Sequence, residues 1–416
     1  MKIIKASIIT IGDELLNGQT IDTNSTWMAM ELNKIGVSVC RRVAVGDNWN
    51  DIWNALEQES NTAELIFITG GLGPTSDDIT KPILLKYFGG KLVVNKKALE
   101  NIKAIFSKLK RPLIERNLQQ AEVPDTCTVL QNKFGTAPGM FFKKGRKYYF
   151  SLPGVPFEMK NIVTEQILPL LKKKIILPTI LYRSILTAGR GESFVAELLM
   201  SFEKELPKNI KLAYLPFYSL LKLRLTAIGK NKKLLEQEFN ICFEKLKKLV
   251  KEITISDQEN RLEEIIGQRL IKKKKTIATV ESCTGGYIAQ LISSVPGASA
   301  YYKGSIVSYA NETKKNLLHI SSQTLEKNGA VSEAVVVKML KSCIKKIKVD
   351  YAVATSGIMG PTSESNKLAV GTVWIAVGST QKIITKKLEL RFDRSGNIKV
   401  TSQISLALLA EFILKN

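Results

Sequence analysis

Thr276-Ile277-Ala278-Thr279-Val280-Glu281-Ser282-Cys283-Thr284-Gly285-Gly286 runs an apolar, strand-like segment straight into a glycine turn. Ile288, Leu291 and Ile292 then recur at helical spacing until Pro296-Gly297. A strand that passes through glycines into a helix is the building unit of α/β folds. Before it, Leu262, Ile265, Ile266 and Leu270 fall on one face of a further helix. After it, Ser305-Ile306-Val307-Ser308 gives another strand. Residues 256–416 therefore read as one α/β domain, entered through the polar linker Ser256-Asp257-Gln258-Glu259-Asn260.

The same alternation governs residues 1–170. Ser7-Ile8-Ile9-Thr10-Ile11 is a β-branched run closed by Gly12, as expected of a buried parallel strand. Asn24 is the expected cap of a helix with Trp27, Met28, Met30, Leu32 and Ile35 as its stripe, ended by Gly36. Val37–Cys40 and Leu65–Thr69 follow as strands, which makes this a doubly wound α/β domain. Between the two, Leu221, Leu223 and Leu225 alternate with Lys222 and Arg224, and a lysine-rich helix runs from Leu234 to Leu249. Residues 171–255 are thus expected to form a small α+β connector.

Composition narrows the chemistry. The chain has 416 residues, 44% of them hydrophobic, which suits two or three packed domains. No apolar run approaches the ~18 residues of a membrane span. Five cysteines without a C-x-x-C pair indicate neither disulfides nor a zinc knuckle and suit a reducing cytosol. The net charge of +23 raises the question of nucleic acid. Its lysines lie in short scattered runs such as Lys272–Lys275, which read as solvated surface. His319 is the single histidine and falls at an expected helix end. A hydrolase built on this chain must take its base from elsewhere.

Two glycine turns could carry chemistry. At the first, Ser282 is either a helix cap or a nucleophile whose oxyanion is held by helix N–H groups. Lys314, in Tyr309-Ala310-Asn311-Glu312-Thr313-Lys314, could serve as its base if desolvated. Cys283 is the competing nucleophile. At the second, Gly70-Gly71-Leu72-Gly73-Pro74-Thr75-Ser76-Asp77-Asp78 follows a strand and precedes a helix, as a phosphate cradle does. Asp77 and Asp78 either hold a divalent metal between phosphates or complement the helix dipole.

Several motifs together resemble the CinA family. They are Glu281–Gly286, Tyr309-x-Asn311-Glu312-x-Lys314, Gly329-Ala330-Val331-Ser332-Glu333, Ser356–Pro361 and Val370-Gly371-Thr372-Val373. The resemblance implies a C-terminal nicotinamide-mononucleotide deamidase that yields nicotinate mononucleotide and ammonia without metal or organic cofactor. It implies Ser282 as nucleophile, Lys314 as base and Tyr309 beside them. Thr284, Gly285, Gly286, Gly360 and Arg394 are expected to hold the substrate. Where the family continues with Asp-Gly-Gly and Lys-Pro-Val-Gly, this chain has Thr362-Ser363-Glu364 and Lys367-Leu368-Ala369-Val370-Gly371. Ile398-Lys399 stands where the family has a further arginine.

Gly12–Leu16, Asp22-Thr23-Asn24, Gly70–Thr80, Gly135–Met140 and Leu152–Met159 resemble the N-terminal part of the same family and, more distantly, molybdopterin-binding domains. This implies a molybdopterin-binding-like domain with ADP-ribose pyrophosphatase activity, a divalent metal at Asp77 and Asp78, and Gly70, Gly71, Gly73 and Thr75 on the substrate. Gly189–Ser193 and Ala213–Pro216 resemble the family's middle region. Family membership also implies a homodimer in pyridine-nucleotide salvage. The alternatives are a molybdopterin- or nucleotide-binding protein without amidase activity, and a DNA-associated competence factor.

Overall fold

Leu65–Thr69 is buried along its whole length, as a strand covered on both faces must be. It lies inside a six-stranded sheet in the computed structural model, which describes residues 4–217, 220–363 and 368–416. The chain is mixed α/β and divides into two units, Met1–Ile180 with Ile228–Leu235 and Leu181–Ala227 with Glu236–Asn416.

In the first unit, Lys5–Ile11 pairs in parallel with Ser38–Val45 and with Leu65–Thr69, which in turn pairs in parallel with Lys147–Leu152. Gly139–Lys144 and Thr128–Leu130 extend the sheet antiparallel. The pleat sends alternate residues to opposite faces. Ile8, Phe67 and Phe150 meet Met28, Leu32 and Met159 on one side. Ile9, Ile66 and Ile68 meet Ile52, Leu56 and Leu84 on the other. One expectation is corrected here. The helix Thr23–Lys34 is capped by Asp22, whose carboxylate accepts from the Ser25 N–H at 2.8 Å. Asn24 is buried instead, and its amide donates to the Gly154 carbonyl at 2.7 Å. Met30 is exposed and lies off the buried stripe.

The second unit holds a five-stranded sheet. Ile277–Glu281 is flanked in parallel by Tyr302–Val307 and Tyr351–Gly357, and Thr372–Gly378 and Ile383–Glu389 continue it antiparallel. Alternation again makes two cores. Val353, Val373 and Ile375 pack on Ile266, Ile288 and Leu406, whereas Ala278, Ala352 and Ala354 pack on Val336, Met339 and Leu340. The helix Arg394–Lys415 is long and apolar enough to cross a membrane, unlike the expectation that no segment is, but 67% of its apolar window is buried. Leu220–Gly229 alternates as expected, with Leu221, Leu223 and Leu225 inward, in a four-stranded sheet with Thr179–Ala188, Ile210–Phe217 and Thr254–Ser256. Ser256–Asn260 joins elements within the second unit, and Ile255 before it belongs to that unit's core.

Phe150 is fully buried and stacks on Phe67 and Phe141 at centroid distances of 4.9 and 5.1 Å. Phe150→Ala should therefore cost about 3–5 kcal/mol in a urea titration of the full chain, from lost burial and the cavity left behind. A midpoint unchanged from wild type would contradict this packing.

Candidate functional site

The carboxyl ends of the three parallel strands in the second unit converge, which is where open α/β sheets place ligands. Ser282 follows the central strand, Ser308 and Tyr309 follow one neighbour, and Gly357 to Pro361 end and follow the other. The cleft they line has a volume of about 680 Å³.

Lys314 comes to Ser282 from the helix Asn311–Leu318. Its Nζ lies 3.0 Å from the Ser282 Oγ, 2.9 Å from the Ser308 carbonyl and 3.2 Å from the Tyr309 carbonyl. The side chain is only 2% exposed. Burial pushes its pKa below that of an ordinary lysine, against the smaller opposing pull of Cys283 and Glu312. A neutral amine has two hydrogens and one lone pair. The two carbonyls take the hydrogens, which turns the lone pair toward the serine hydroxyl.

Ser282 does not cap the following helix. That task falls to Glu281, which is fully buried. Its carboxylate accepts from the N–H groups of Gly286 at 3.0 Å, Ile288 at 3.1 Å and Ala289 at 2.8 Å, and from the Thr284 hydroxyl at 2.7 Å. The helix N–H groups expected to face an oxyanion are therefore already engaged. Among the described residues, no backbone carbonyl accepts from the N–H groups of Cys283 and Thr284, the two donors next to Ser282. Thr284, expected to touch substrate, gives its hydroxyl to Glu281 and shares a 2.7 Å bond with Thr355 inside the loop. Gly285 and Gly286 take φ of 62° and 98°, left-handed values that make the turn.

Cys283 is buried, and desolvation pushes its thiol up to about 12. It is a neutral thiol at working pH, which removes it as the competing nucleophile. Arg394 crosses the mouth of the cleft, donating to the Gly360 carbonyl at 2.6 Å and to the Tyr309 hydroxyl at 2.7 Å. Its helix is capped by Asp393, whose carboxylate accepts from the Gly396 N–H at 2.6 Å. Asn397, missed in the sequence, steadies this corner by donating to the carbonyls of Met359 and Phe392, each at 3.0 Å. His319 ends the lysine helix in a left-handed turn and is exposed, away from the cleft. Of the altered loop at 362–369, Thr362 and Leu368 line the cleft, while Glu364 and Lys367 lie outside the described residues.

The first unit has its own cleft at the carboxyl ends of its parallel strands, about 420 Å³ in volume. Gly70, Gly71 and Gly73 line it, as do Glu14, Asp47, Asp77, Asp78 and Glu158. Thr75 and Asp78 mainly shape the loop, because the Asp78 carboxylate accepts from the N–H groups of Gly73 at 2.8 Å and Thr75 at 2.9 Å. Asp77 is exposed, and hydrogen bonding from Thr75 and its own backbone holds it below the usual carboxylate range. Burial raises the Asp47 pKa, and the charges of Asp13, Glu14 and Asp77 add to the rise. Among the described residues no three His, Cys, Asp or Glu side chains make a protein-only metal cage. The lining contains carboxylates and no Lys or Arg. A phosphate over these glycines would face carboxylates alone, a donor set that would suit a divalent cation.

Residues 259–413 match the family description "CinA C-terminal domain" and residues 7–173 match "Probable molybdopterin binding domain". A "CinA-like protein" of Flavobacterium psychrophilum is 42% identical over 99% of both chains. One of Cytophaga hutchinsonii is 43% identical over 98% of this chain and 97% of its own. Among solved structures, a CinA protein "with unknown function" from Thermoplasma acidophilum is 34% identical and covers 41% of this chain and 96% of its own, with a TM-score of 0.36.

Glu281→Ala strands three N–H donors at once, the buried one of Ile288 and the part-buried ones of Gly286 and Ala289, with about 1–3 kcal/mol for the buried donor. We expect urea titration to show Glu281→Ala well below wild type and Glu281→Gln, which keeps one acceptor oxygen, in between. Equal stability of all three would remove Glu281 as the anchor of the loop.

Proposed function

The chain belongs to the CinA family, and on that premise we propose that its second unit hydrolyses the carboxamide of nicotinamide mononucleotide to nicotinate mononucleotide and ammonia. The observation that carries this is the 3.0 Å contact between a desolvated Lys314 and Ser282, with two carbonyls orienting the amine. Neutral Lys314 takes the proton of the Ser282 hydroxyl as Oγ attacks the amide carbon. The oxyanion that forms is met by the N–H groups of Cys283 and Thr284. The Lys314 ammonium then protonates the departing nitrogen, and ammonia leaves a serine ester. Water, deprotonated by the same lysine, cleaves the ester and releases the carboxylate. Arg394 and Tyr309 at the mouth suit the phosphate end of the substrate. The mechanism uses neither metal nor organic cofactor, and its thiols call for a reducing compartment such as the cytosol.

For the first unit the carboxylate-lined glycine cleft favours a diphosphate ligand, consistent with cleavage of ADP-ribose. A divalent metal there would neutralise phosphate charge. Asp77 would share it, Asp78 and Thr75 would hold the loop's shape, and Gly70 to Gly73 would admit the phosphates closely. Both activities suit the salvage of pyridine nucleotides, with the protein working as a homodimer.

Ammonia release from nicotinamide mononucleotide in EDTA tests the first reading. Wild type and Cys283→Ala should turn over, while Ser282→Ala and Lys314→Ala should lose at least about 1,000-fold, as when a nucleophile or its base is removed. A folded wild type that releases no ammonia sinks the amidase and leaves a nucleotide-binding role. The pH profile is a second check. Lys314 works only when neutral, so the rate should rise with pH through its lowered pKa and then level off. Glu312→Gln removes a charge that favours the ammonium, so the rising limb should move to lower pH. A limb that moves the other way contradicts lysine as the base.

A further inference from the structure

Two aromatic rings stand in solvent on segments that also line the cleft of the first unit. Phe134 is 51% exposed and Phe157 is 63% exposed, yet they meet edge to face with centroids 4.8 Å apart. Val155, also exposed, adds to the apolar surface. Rings of this size are usually buried, and a pair held open to water implies something that covers it.

The pair is built on a fixed support. Asn132 is buried, and its side-chain oxygen accepts from the N–H groups of Phe134 at 3.1 Å and Gly135 at 3.0 Å. Its amide donates to the Ala137 carbonyl at 2.9 Å and the Glu158 carboxylate at 2.6 Å. A Cβ at position 135 would lie 2.0 Å from the Glu158 carboxylate, so a larger residue there must displace that side chain. The loop bearing Phe134 and the helix Pro156–Ile162 bearing Phe157 are thus tied through one asparagine.

The same segments form one wall of the cleft. Thr136, Val155 and Glu158, each within two residues of one of the phenylalanines, line it, and Gly70, Gly71 and Gly73 line it too. That cleft presents five carboxylates and no cation from the protein. An uncharged planar ring is what an apolar rim above such a lining can accept. We infer that Phe134 and Phe157 are a stacking platform for the nucleobase of a nucleoside diphosphate whose phosphates lie, with a divalent cation, over Gly70 to Gly73. The inference rests on the reading of this cleft as a diphosphate site. Aromatic faces hold bases in just this manner elsewhere, with little preference among them.

Titration calorimetry on the full chain with magnesium present, using ADP and inorganic pyrophosphate as probes, separates the two ideas. Wild type should bind ADP more tightly than pyrophosphate. The double variant Phe134→Leu/Phe157→Leu should lose at least about fivefold in ADP affinity, the lower bound for one stacked base, while keeping its pyrophosphate affinity. Phe157→Trp should retain ADP binding and show quenching of the new indole. The platform is overturned if ADP affinity is unchanged in the double variant, if both probes weaken together, or if wild type gains nothing from the base. A wild type that binds neither probe overturns the diphosphate reading and the platform with it. Wild type that sediments as a larger species than the double variant makes the rings an interface between copies instead.

Discussion

A lysine side chain kept almost wholly out of water is the constraint on which the second unit depends. An ammonium in that position would be expensive, so the fold must either pair it with an anion or let it lose its proton. Its immediate partners are two carbonyls and a hydroxyl, none of them charged. Burial therefore shifts the balance toward the neutral amine. The carbonyls belong to the residues that leave the strand Tyr302–Val307, so the end of the sheet itself sets the direction of the lone pair.

The serine arrives by a separate route that is no less constrained. A glycine turn at the end of the central strand would normally leave the first helical N–H groups open to any anion nearby. Glu281 fills that role internally with a fully buried carboxylate. Two consequences follow. The loop is held from beneath by several bonds, which keeps the hydroxyl where the amine can reach it. The donors left for a reacting oxygen are the two at the very start of the turn, so the site offers a narrow target for developing charge.

The strands and both glycine turns are legible because continuous apolar runs, period-two burial and left-handed glycines leave local marks, as Leu65–Thr69, Leu220–Gly229 and Gly285-Gly286 do. The serine and lysine could be paired only through family resemblance and the shortage of histidine, since 32 residues separate them. Asp22 and Asn24 are both good cap residues two positions apart, and spacing alone cannot choose between them. The buried one is fixed by the Gly154 carbonyl, 130 residues away. Glu281 stands in the motif without a legible role, because the N–H groups it accepts from are set by how the following turn folds back. Arg394 and Tyr309 meet across 85 residues and leave no local trace of it. Whatever rests on one strand and its turn can be read from sequence, and whatever needs two strand ends to meet cannot.

The buried thiol beside Ser282 bears on how the site could be blocked. Cys283 and Ser282 are adjacent in the chain and equally buried, yet the thiol is held protonated while the hydroxyl faces an amine. Electrophiles selected for thiolates, such as haloacetamides and maleimides, find nothing to capture at this position. Reagents that form tetrahedral adducts with alcohols, boronic acids among them, meet a hydroxyl 3.0 Å from a desolvated amine. For medicinal chemistry the cysteine in this motif is a decoy, and the alcohol is the handle.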